Sequence, residues 1–211
     1  MTPADQATIE RIALAAAAPW QFALGGGRAL IAYGLIDRPT QDIDLFTTDE
    51  TAVRPAAEAV MDALDAAGFP AWEVGLDSDL FDDLADLFIE LAVSGHDGDS
   101  MPLSLAIQPR FQPPLKMAIG PVTRLEDLAA SKVSALVNRA EVRDFIDVAM
   151  FLEHLDRPRL LELAARVDPG LAPEDYAACM RQLDAYPDGL FRRYAVDAST
   201  VRAAFAQWPR E

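Results

Sequence analysis

The chain has 211 residues, 51% of them hydrophobic, which is enough to bury the core of one domain or of two small ones. Its formal net charge of −16 at pH 7 is the opposite of the basic surface that nucleic-acid binders usually carry, so the composition favours solubility or a cationic partner. A single cysteine, Cys179, excludes an internal disulfide, and the composition predicts neither structural zinc nor Cys/His catalysis.

The first twenty residues resemble neither a signal peptide nor a membrane span. The segment Met1–Asp5 lacks the positive region with which a secretory signal begins. The apolar stretch Ile12–Trp20 is interrupted by Pro19 and is too short to cross a bilayer. The sequence therefore predicts a cytoplasmic protein with no membrane partner.

Helices and strands are predicted to alternate through the first third of the sequence. Thr2 is a suitable cap for a helix that begins at Pro3, and Gly68 is suited to end a later helix in the left-handed conformation. In chain order, the predicted elements are a helix at 3–18, a strand at 22–24, a glycine turn at 25–27, a helix at 28–33, a strand at 42–46 and a helix at 55–67.

The pattern changes in the middle of the chain. Strands are predicted at 87–93 and 103–107, and a proline-rich segment at 110–121 follows them. Beyond it the periodicity is helical only, with helices at 125–138 and 142–155 and further helices from 159 onward. The sequence therefore predicts an α/β (α+β) fold, with one domain of residues 1–120 and a helical domain of residues 121–211.

The glycine turn at Gly25–Gly27 lies between a predicted strand and a predicted helix. Backbone N–H groups at such a turn can approach an anion closely, and a helix start favours negative charge. A Rossmann fingerprint would need glycine or alanine at position 30, which is Leu30, and no Gly-Lys-Ser/Thr sequence of a P-loop is present. A phosphate-binding turn and a purely structural tight turn both remain open from these residues alone.

Asp42 and Asp44 lie two residues apart on a predicted strand, so their carboxylates point to the same side. Two such oxygen donors suit Mg²⁺, and apolar flanking residues tie this strand to a core. Asp77–Asp79 and Asp97–Asp99 repeat the spacing in predicted loops, where solvation is the better interpretation. Glu90 on the next predicted strand is the candidate for a third carboxylate, with an ordinary solvent-facing residue as the alternative.

Lys132 falls on the apolar face of a predicted helix, where an unpaired ammonium is costly. Asp144 shares a face with apolar residues of the next helix, and Asp147 lies one turn beyond it. A lysine in this position either reaches solvent, pairs with an acid or meets phosphate in a cleft. A structural Lys–Asp bridge between two helices is the alternative to a functional site.

Two pairs of segments resemble the motifs of a known group, the DNA polymerase β-like nucleotidyltransferase superfamily, and more narrowly its AbiEii/AbiGii toxin-type branch. The pairs are Leu24–Leu30 with Arg38–Phe46, and Leu128–Leu136 with Arg143–Asp147. The resemblance implies a mixed sheet with flanking helices and a C-terminal helical domain that completes the active-site cleft.

The resemblance also implies roles for particular residues. It implies Asp42, Asp44, Lys132, Asp144 and Asp147 as catalytic residues, Gly26, Gly27, Arg28 and Lys132 as nucleotide-binding residues, and Asp42, Asp44 and Glu90 as metal ligands.

The function implied is the transfer of a nucleoside monophosphate from an NTP, with Mg²⁺ or Mn²⁺, to an RNA such as tRNA or to a protein. An antitoxin is the implied partner. An antibiotic-type enzyme with a cationic small-molecule acceptor is one alternative, which the negative charge would suit. A non-catalytic nucleotide-binding module of the same fold is the other.

Overall fold

A computed structural model describes residues 1–75 and 86–210 of the chain. In these ranges the strands form one mixed sheet of order β3-β4-β5-β2-β1-β7-β6. Strands β1 and β7 pair in parallel, as do β2 and β5, and the other neighbours are antiparallel. The strands are β1 (Ala23–Leu24), β2 (Ile43–Thr47), β3 (Ala71–Glu73), β4 (Phe88–Ser94), β5 (Ser100–Ile107), β6 (Leu115–Met117) and β7 (Gly120–Val122).

Helices make up most of the remaining described chain, and none of them is long and apolar enough to cross a membrane. They are α1 (Pro3–Ala17), α2 (Gly26–Ala32), α3 (Val53–Ala66), α4 (Leu125–Arg139), α5 (Val142–Phe151), α6 (Arg157–Val167), α7 (Pro173–Ala185), α8 (Asp188–Arg192) and α9 (Ala198–Ala204). A mixed sheet with helices, followed by helices alone, confirms the predicted fold class.

The chain divides into two compact units. The sheet unit contains residues 1–34 and 39–124, and the helical unit contains residues 35–38 and 125–211. The predicted boundary between residues 120 and 121 falls inside β7, because the proline-rich segment 110–121 contributes β6 and most of β7 to the sheet. Strands of three residues are too short for a periodic sequence signal, and for the same reason β3 was not predicted.

Buried and half-buried residues alternate along β2 and β4, so the sheet has two different faces. Ile43 and Leu45 of β2 are fully buried, and the buried side chains of α3 pack against β4 and β5. The alternate residues point to the other face. Register pairs Asp44 of β2 with Ser104 of β5, and Ser104 in turn with Glu90 of β4. These three polar residues therefore form one row across three neighbouring strands.

An aromatic core holds the helical unit together. The Phe145 ring of α5 meets the Phe205 ring edge-on, with ring centres 5.6 Å apart. The Phe205 and Trp208 rings meet in the same way, with centres 4.9 Å apart. The Tyr186 ring also meets the Phe145 ring edge-on, with ring centres 6.3 Å apart, and the Tyr186 hydroxyl donates to the Ala140 carbonyl oxygen at 2.9 Å. Edge-to-face rings contribute about 1 kcal/mol each beyond the area that they bury. This core fixes α5, the helix that carries Asp144 and Asp147.

Cys179 is buried in α7, and its thiol donates to the Leu136 carbonyl oxygen at 3.5 Å. Burial, and next the charge of Asp175, raise the pKa of this thiol to about 11. Because the thiolate is the reactive form, we expect modification by a disulfide reagent to be at least about 100-fold slower in the folded protein than in urea. Equal rates in the two conditions would show that Cys179 is exposed and contradict this packing.

Candidate functional site

The glycine turn packs tightly against β2 and the segment that precedes it. Gly26 has a φ of +55°, a left-handed conformation that side chains disfavour. A Cβ at Gly26 would overlap Asp44 Oδ2, and one at Gly27 would overlap the Thr40 methyl group. Gly26 is therefore required both by its left-handed backbone and by the Asp44 carboxylate, which occupies the position that a Cβ would take. Gly27 is required because the Thr40 methyl group leaves no room for a Cβ.

Helix α2 begins at this turn without a side-chain cap. Its N-cap residue, Gly25, has no side chain, and the Gly25 N–H donates to the Asp44 carbonyl oxygen at 2.8 Å. The first N–H groups of a helix have no partner within the helix itself. The turn thus presents backbone donors beside the carboxylate of Asp44.

Asp44 is held in a defined orientation. Its Oδ1 accepts a hydrogen bond from Ser104 Oγ at 2.9 Å, while its Oδ2 lies against Gly26. The hydroxyl comes from the residue that the β2–β5 register places directly beside Asp44. Contacts on both oxygens therefore fix the carboxylate relative to the glycine turn.

Asp42 is separated from Asp44 along the chain, and Glu90 is separated from it across the sheet. Asp42 directly precedes β2 and is half-buried like Asp44, so it shares the polar face of the sheet. Glu90 is two strands from Asp44, which separates their backbones by about 10 Å. In the described ranges no group of three His, Cys, Asp or Glu side chains is placed to hold a metal ion. Asp42 and Asp44 are thus two residues apart along the chain, whereas Glu90 lies further along the row of Asp44 and Ser104.

A second cluster lies within the helical unit and centres on Asp147, whose side chain is 2% exposed. Its Oδ2 accepts from Lys132 Nζ at 2.9 Å, and its Oδ1 accepts from Arg38 Nη2 at 2.6 Å. The Lys–Asp pairing anticipated from the sequence is present, with Asp147 as the acid. One carboxylate thus holds two cations.

Asp144 has different partners, although it is as buried as Asp147. Its Oδ1 accepts from Arg139 Nη2 at 2.6 Å, and its Oδ2 accepts the Glu141 N–H at 3.2 Å, which completes a capping box at the start of α5. Burial lowers the pKa of Arg139, but the nearby acids, Asp144 foremost, outweigh it and raise that pKa overall. In this structure Asp144 fixes the junction of α4 and α5.

Arg28, a nucleotide-binding residue in the sequence interpretation, is engaged with α1. Its guanidinium pairs with Glu10, and both side chains are largely buried. In this conformation the contacts of Arg28 fasten α2 to α1.

A family model of known proteins matches residues 11–169, most of the chain, and its description is nucleotidyl transferase AbiEii toxin, type IV toxin–antitoxin system. The chain belongs to the AbiEii family. This confirms the resemblance stated from the two pairs of segments, and it identifies the protein as an enzyme of the nucleotidyltransferase class, for which an NTP is the substrate. No curated protein matches the chain.

Solved structures of low sequence identity share the fold of this AbiEii member. The nucleotidyltransferase toxin MenT4 of Mycobacterium tuberculosis is 20% identical, covers 96% of this chain and 81% of its own length, and superposes with a TM-score of 0.64. A putative nucleotidyltransferase from Helicobacter pylori is 16% identical over 100% of this chain and 96% of its own, with a TM-score of 0.62.

An antibiotic-resistance protein has a related fold. ANT(2'')-Ia is 17% identical and covers 88% of this chain and 100% of its own, with a lower TM-score of 0.53. The nucleotidyltransferase fold is thus confirmed. The antibiotic-type alternative has weaker support than the AbiEii assignment.

Three residues beside these sites were not assigned from the sequence. Ser104 is the one polar residue of the predicted strand 103–107, a signal that is visible without the strand register. Arg38 and Thr40 belong to the segment Arg38–Phe46, in which the resemblance gives neither of them a role. The Thr40 hydroxyl is buried with no hydrogen-bond partner among the described residues, and Arg38 pairs with Asp147.

Replacing Ser104 should loosen the Asp44 carboxylate without unfolding the sheet. The Ser104→Ala variant loses the hydrogen bond to Asp44 Oδ1, and the loss of an orienting partner of this kind typically costs about 10–100-fold in activity. We expect the rate of nucleotidyl transfer to fall by this factor. An unchanged rate would show that the bond does not orient Asp44.

Proposed function

We propose that this AbiEii member transfers a nucleoside monophosphate from an NTP to an RNA or protein acceptor in the cytoplasm, with Mg²⁺ or Mn²⁺ bound at Asp42 and Asp44. In this reaction the acceptor hydroxyl oxygen forms a bond to the α-phosphorus. The bond from that phosphorus to the bridging oxygen of the β-phosphate breaks, and pyrophosphate and the hydroxyl proton leave. The observation that supports the assignment most is the contact of Asp44 Oδ2 with Gly26 at the start of α2.

That contact places a group that attracts phosphate next to a group that repels it. The backbone donors at Gly26 and Gly27 favour a phosphate, but a carboxylate beside them opposes it electrostatically. Asp42 and Asp44 fit a divalent metal because they are two half-buried oxygen donors on one face, and Mg²⁺ usually takes its other ligands from water and phosphate. A bound metal would offset the charge on the phosphates.

The remaining candidate residues have supporting roles in the proposal. Lys132 neutralises the triphosphate, and Asp147 orients Lys132 through the 2.9 Å bond to its ammonium. Asp144 contributes indirectly: it caps the start of α5, the helix that carries Asp147. Glu90 is proposed as the third carboxylate, since it shares the row of Asp44 and Ser104. Arg28 would have to release Glu10 to reach a nucleotide.

The acceptor and the partner are proposed from the family description, in which the enzyme is the toxin of a toxin–antitoxin system. An RNA such as tRNA, or a protein, would supply the hydroxyl. A separate antitoxin would restrain the enzyme. The net charge of −16 disfavours long-range attraction of RNA, so such an acceptor would have to be recognised by local contacts.

Incubation of the purified protein with NTPs labelled at the α-phosphate, Mg²⁺ and total RNA or lysate protein tests this proposal. Label on RNA or protein is the expected result. A parallel reaction contains an aminoglycoside as the cationic small-molecule acceptor. Label on the aminoglycoside alone would support the antibiotic-type reaction, for which the related fold of ANT(2'')-Ia is the specific argument. NTP binding without transfer to any acceptor would favour the non-catalytic module.

A further inference from the structure

We propose that Arg38 is a second phosphate-binding residue, which acts together with Lys132 as a two-cation clamp on the triphosphate. This inference rests on the proposed function and adds a residue to it. Three observations carry it: the shared acid, the excess of positive charge and the donors that this acid leaves available.

The shared acid fixes the two cations next to each other. Arg38 Nη2 lies 2.6 Å from Asp147 Oδ1, and Lys132 Nζ lies 2.9 Å from Asp147 Oδ2. The two oxygens of one carboxylate are only about 2 Å apart, so the cationic groups lie within a few ångströms of each other. Phosphate oxygens are bound well by cations held in this way, because little entropy is then lost on binding.

The charges of this cluster do not cancel. Two cations meet one carboxylate, which leaves one positive charge in a place where the Arg38 and Lys132 side chains are only 19% and 15% exposed. An uncompensated cation that is largely removed from water is unfavourable. An anionic ligand that met both side chains would relieve this cost, so the cluster favours a polyanion.

Hydrogen-bond donors also remain available. Among the described residues, Asp147 is the acceptor found for both cations, and Arg38 Nε is buried without a partner. A guanidinium has five donors and an ammonium has three, so most of them stay unused. The Arg38 guanidinium also lies over the Tyr194 ring, 5.8 Å from its centre, which orients its plane. An oriented guanidinium with unused donors suits phosphate oxygens, which accept such bonds in pairs.

The competing interpretation is that Arg38 only fastens segment 35–38 to α5. Arg202 provides a matched control, because it makes the same two kinds of contact and, among the described residues, no second cation pairs with its acid. Its Nη1 pairs with Asp188 at 2.7 Å, and its guanidinium lies over the Phe191 ring at 5.6 Å. A purely structural arginine and a phosphate-binding arginine should therefore respond differently to the same substitution.

Calorimetric titration with inorganic tripolyphosphate, which contains no base or sugar, measures the clamp directly. We expect Arg38→Gln to weaken tripolyphosphate binding by about 10–100-fold, the range for losing a charge-assisted hydrogen bond. Arg202→Gln should bind it like the wild type. Arg38→Lys keeps the charge next to Asp147 but loses the planar fork, so it should show an intermediate loss.

Each outcome decides the proposal. Equal tripolyphosphate affinity in the wild type and Arg38→Gln would overturn it, as would a wild type that does not bind the probe. If Arg38→Gln does not fold, the comparison of Arg38→Lys with the wild type decides in the same way. A wild type that binds tripolyphosphate through Arg38 but transfers no nucleotide would overturn the proposed function and leave the clamp intact.

Discussion

Asp44→Ala is expected to lower nucleotidyl transfer by about 1,000-fold or more, because the metal proposed at Asp42 and Asp44 would offset several kcal/mol of charge in the transition state. We expect a larger loss of rate for replacement of Asp44 than for replacement of Asp42, because the two carboxylate oxygens of Asp44 contact Ser104 and Gly26. The variant should still fold, because the backbone hydrogen bonds between β2 and its neighbours β1 and β5 are unchanged. The measurement is the rate of label transfer from an α-labelled NTP at saturating Mg²⁺.

Asp99→Ala is the matched control for this loss. Asp97 and Asp99 repeat the spacing of the aspartate pair, but Asp99 is exposed and pairs with the amino group of Met1. Its removal should leave the transfer rate within about twofold of the wild type. Comparable rates for Asp44→Ala and the wild type would exclude Asp44 as a metal ligand. The other pair with this spacing, Asp77–Asp79, lies outside the described residues.

Gly26→Ala should reduce both stability and activity. The left-handed backbone of Gly26, φ +55°, is expected to cost an alanine about 1–2 kcal/mol in unfolding free energy. The new Cβ would also displace the Asp44 carboxylate. Small displacements of catalytic groups can cost about 100-fold in rate. We therefore expect the Gly26→Ala molecules that do fold to transfer nucleotide about 100-fold more slowly than the wild type. Urea unfolding and transfer assays on the same preparation separate the two effects.

Gly34→Ala separates backbone strain from displacement of the carboxylate. Gly34 also has a left-handed backbone, φ +73°, but nothing lies within 4 Å of the position that its Cβ would take. This variant should lose a similar stability, about 1 kcal/mol, while its folded fraction transfers nucleotide at the wild-type rate. If Gly34→Ala and Gly26→Ala lost activity equally, the contact with Asp44 would have no special importance.

The elements of the fold that have strong local signals could be predicted. Thr2 caps α1 by accepting the Asp5 N–H, and Gly68 follows α3 with a φ of +84°, both as expected from residue type. The short strands β3, β6 and β7 have no such signal. They are fixed by pairing: β3 pairs with the longer β4, β6 pairs with β7, and β7 also pairs with β1, all of which are tertiary effects.

The contacts of the candidate residues could not be predicted from the sequence. Asp42, Asp44 and Lys132 are candidates from their positions alone, and the contacts of the last two with Ser104 and Asp147 depend on the strand register and on helix packing. Asp144 and Asp147 could not be told apart by periodicity. The spacing of Glu141 and Asp144 is that of a capping box, a signal present in the sequence that would have favoured a structural position for Asp144.

The central claim is that this AbiEii member transfers the nucleotidyl group. It is tested most directly by comparing one NTP labelled at the α-phosphate with the same NTP labelled at the γ-phosphate, in the presence of Mg²⁺ and the acceptor mixture. The proposed reaction moves the α-label to the acceptor and releases the γ-label in pyrophosphate. Transfer of the γ-label to the acceptor would show phosphoryl transfer and contradict the assignment.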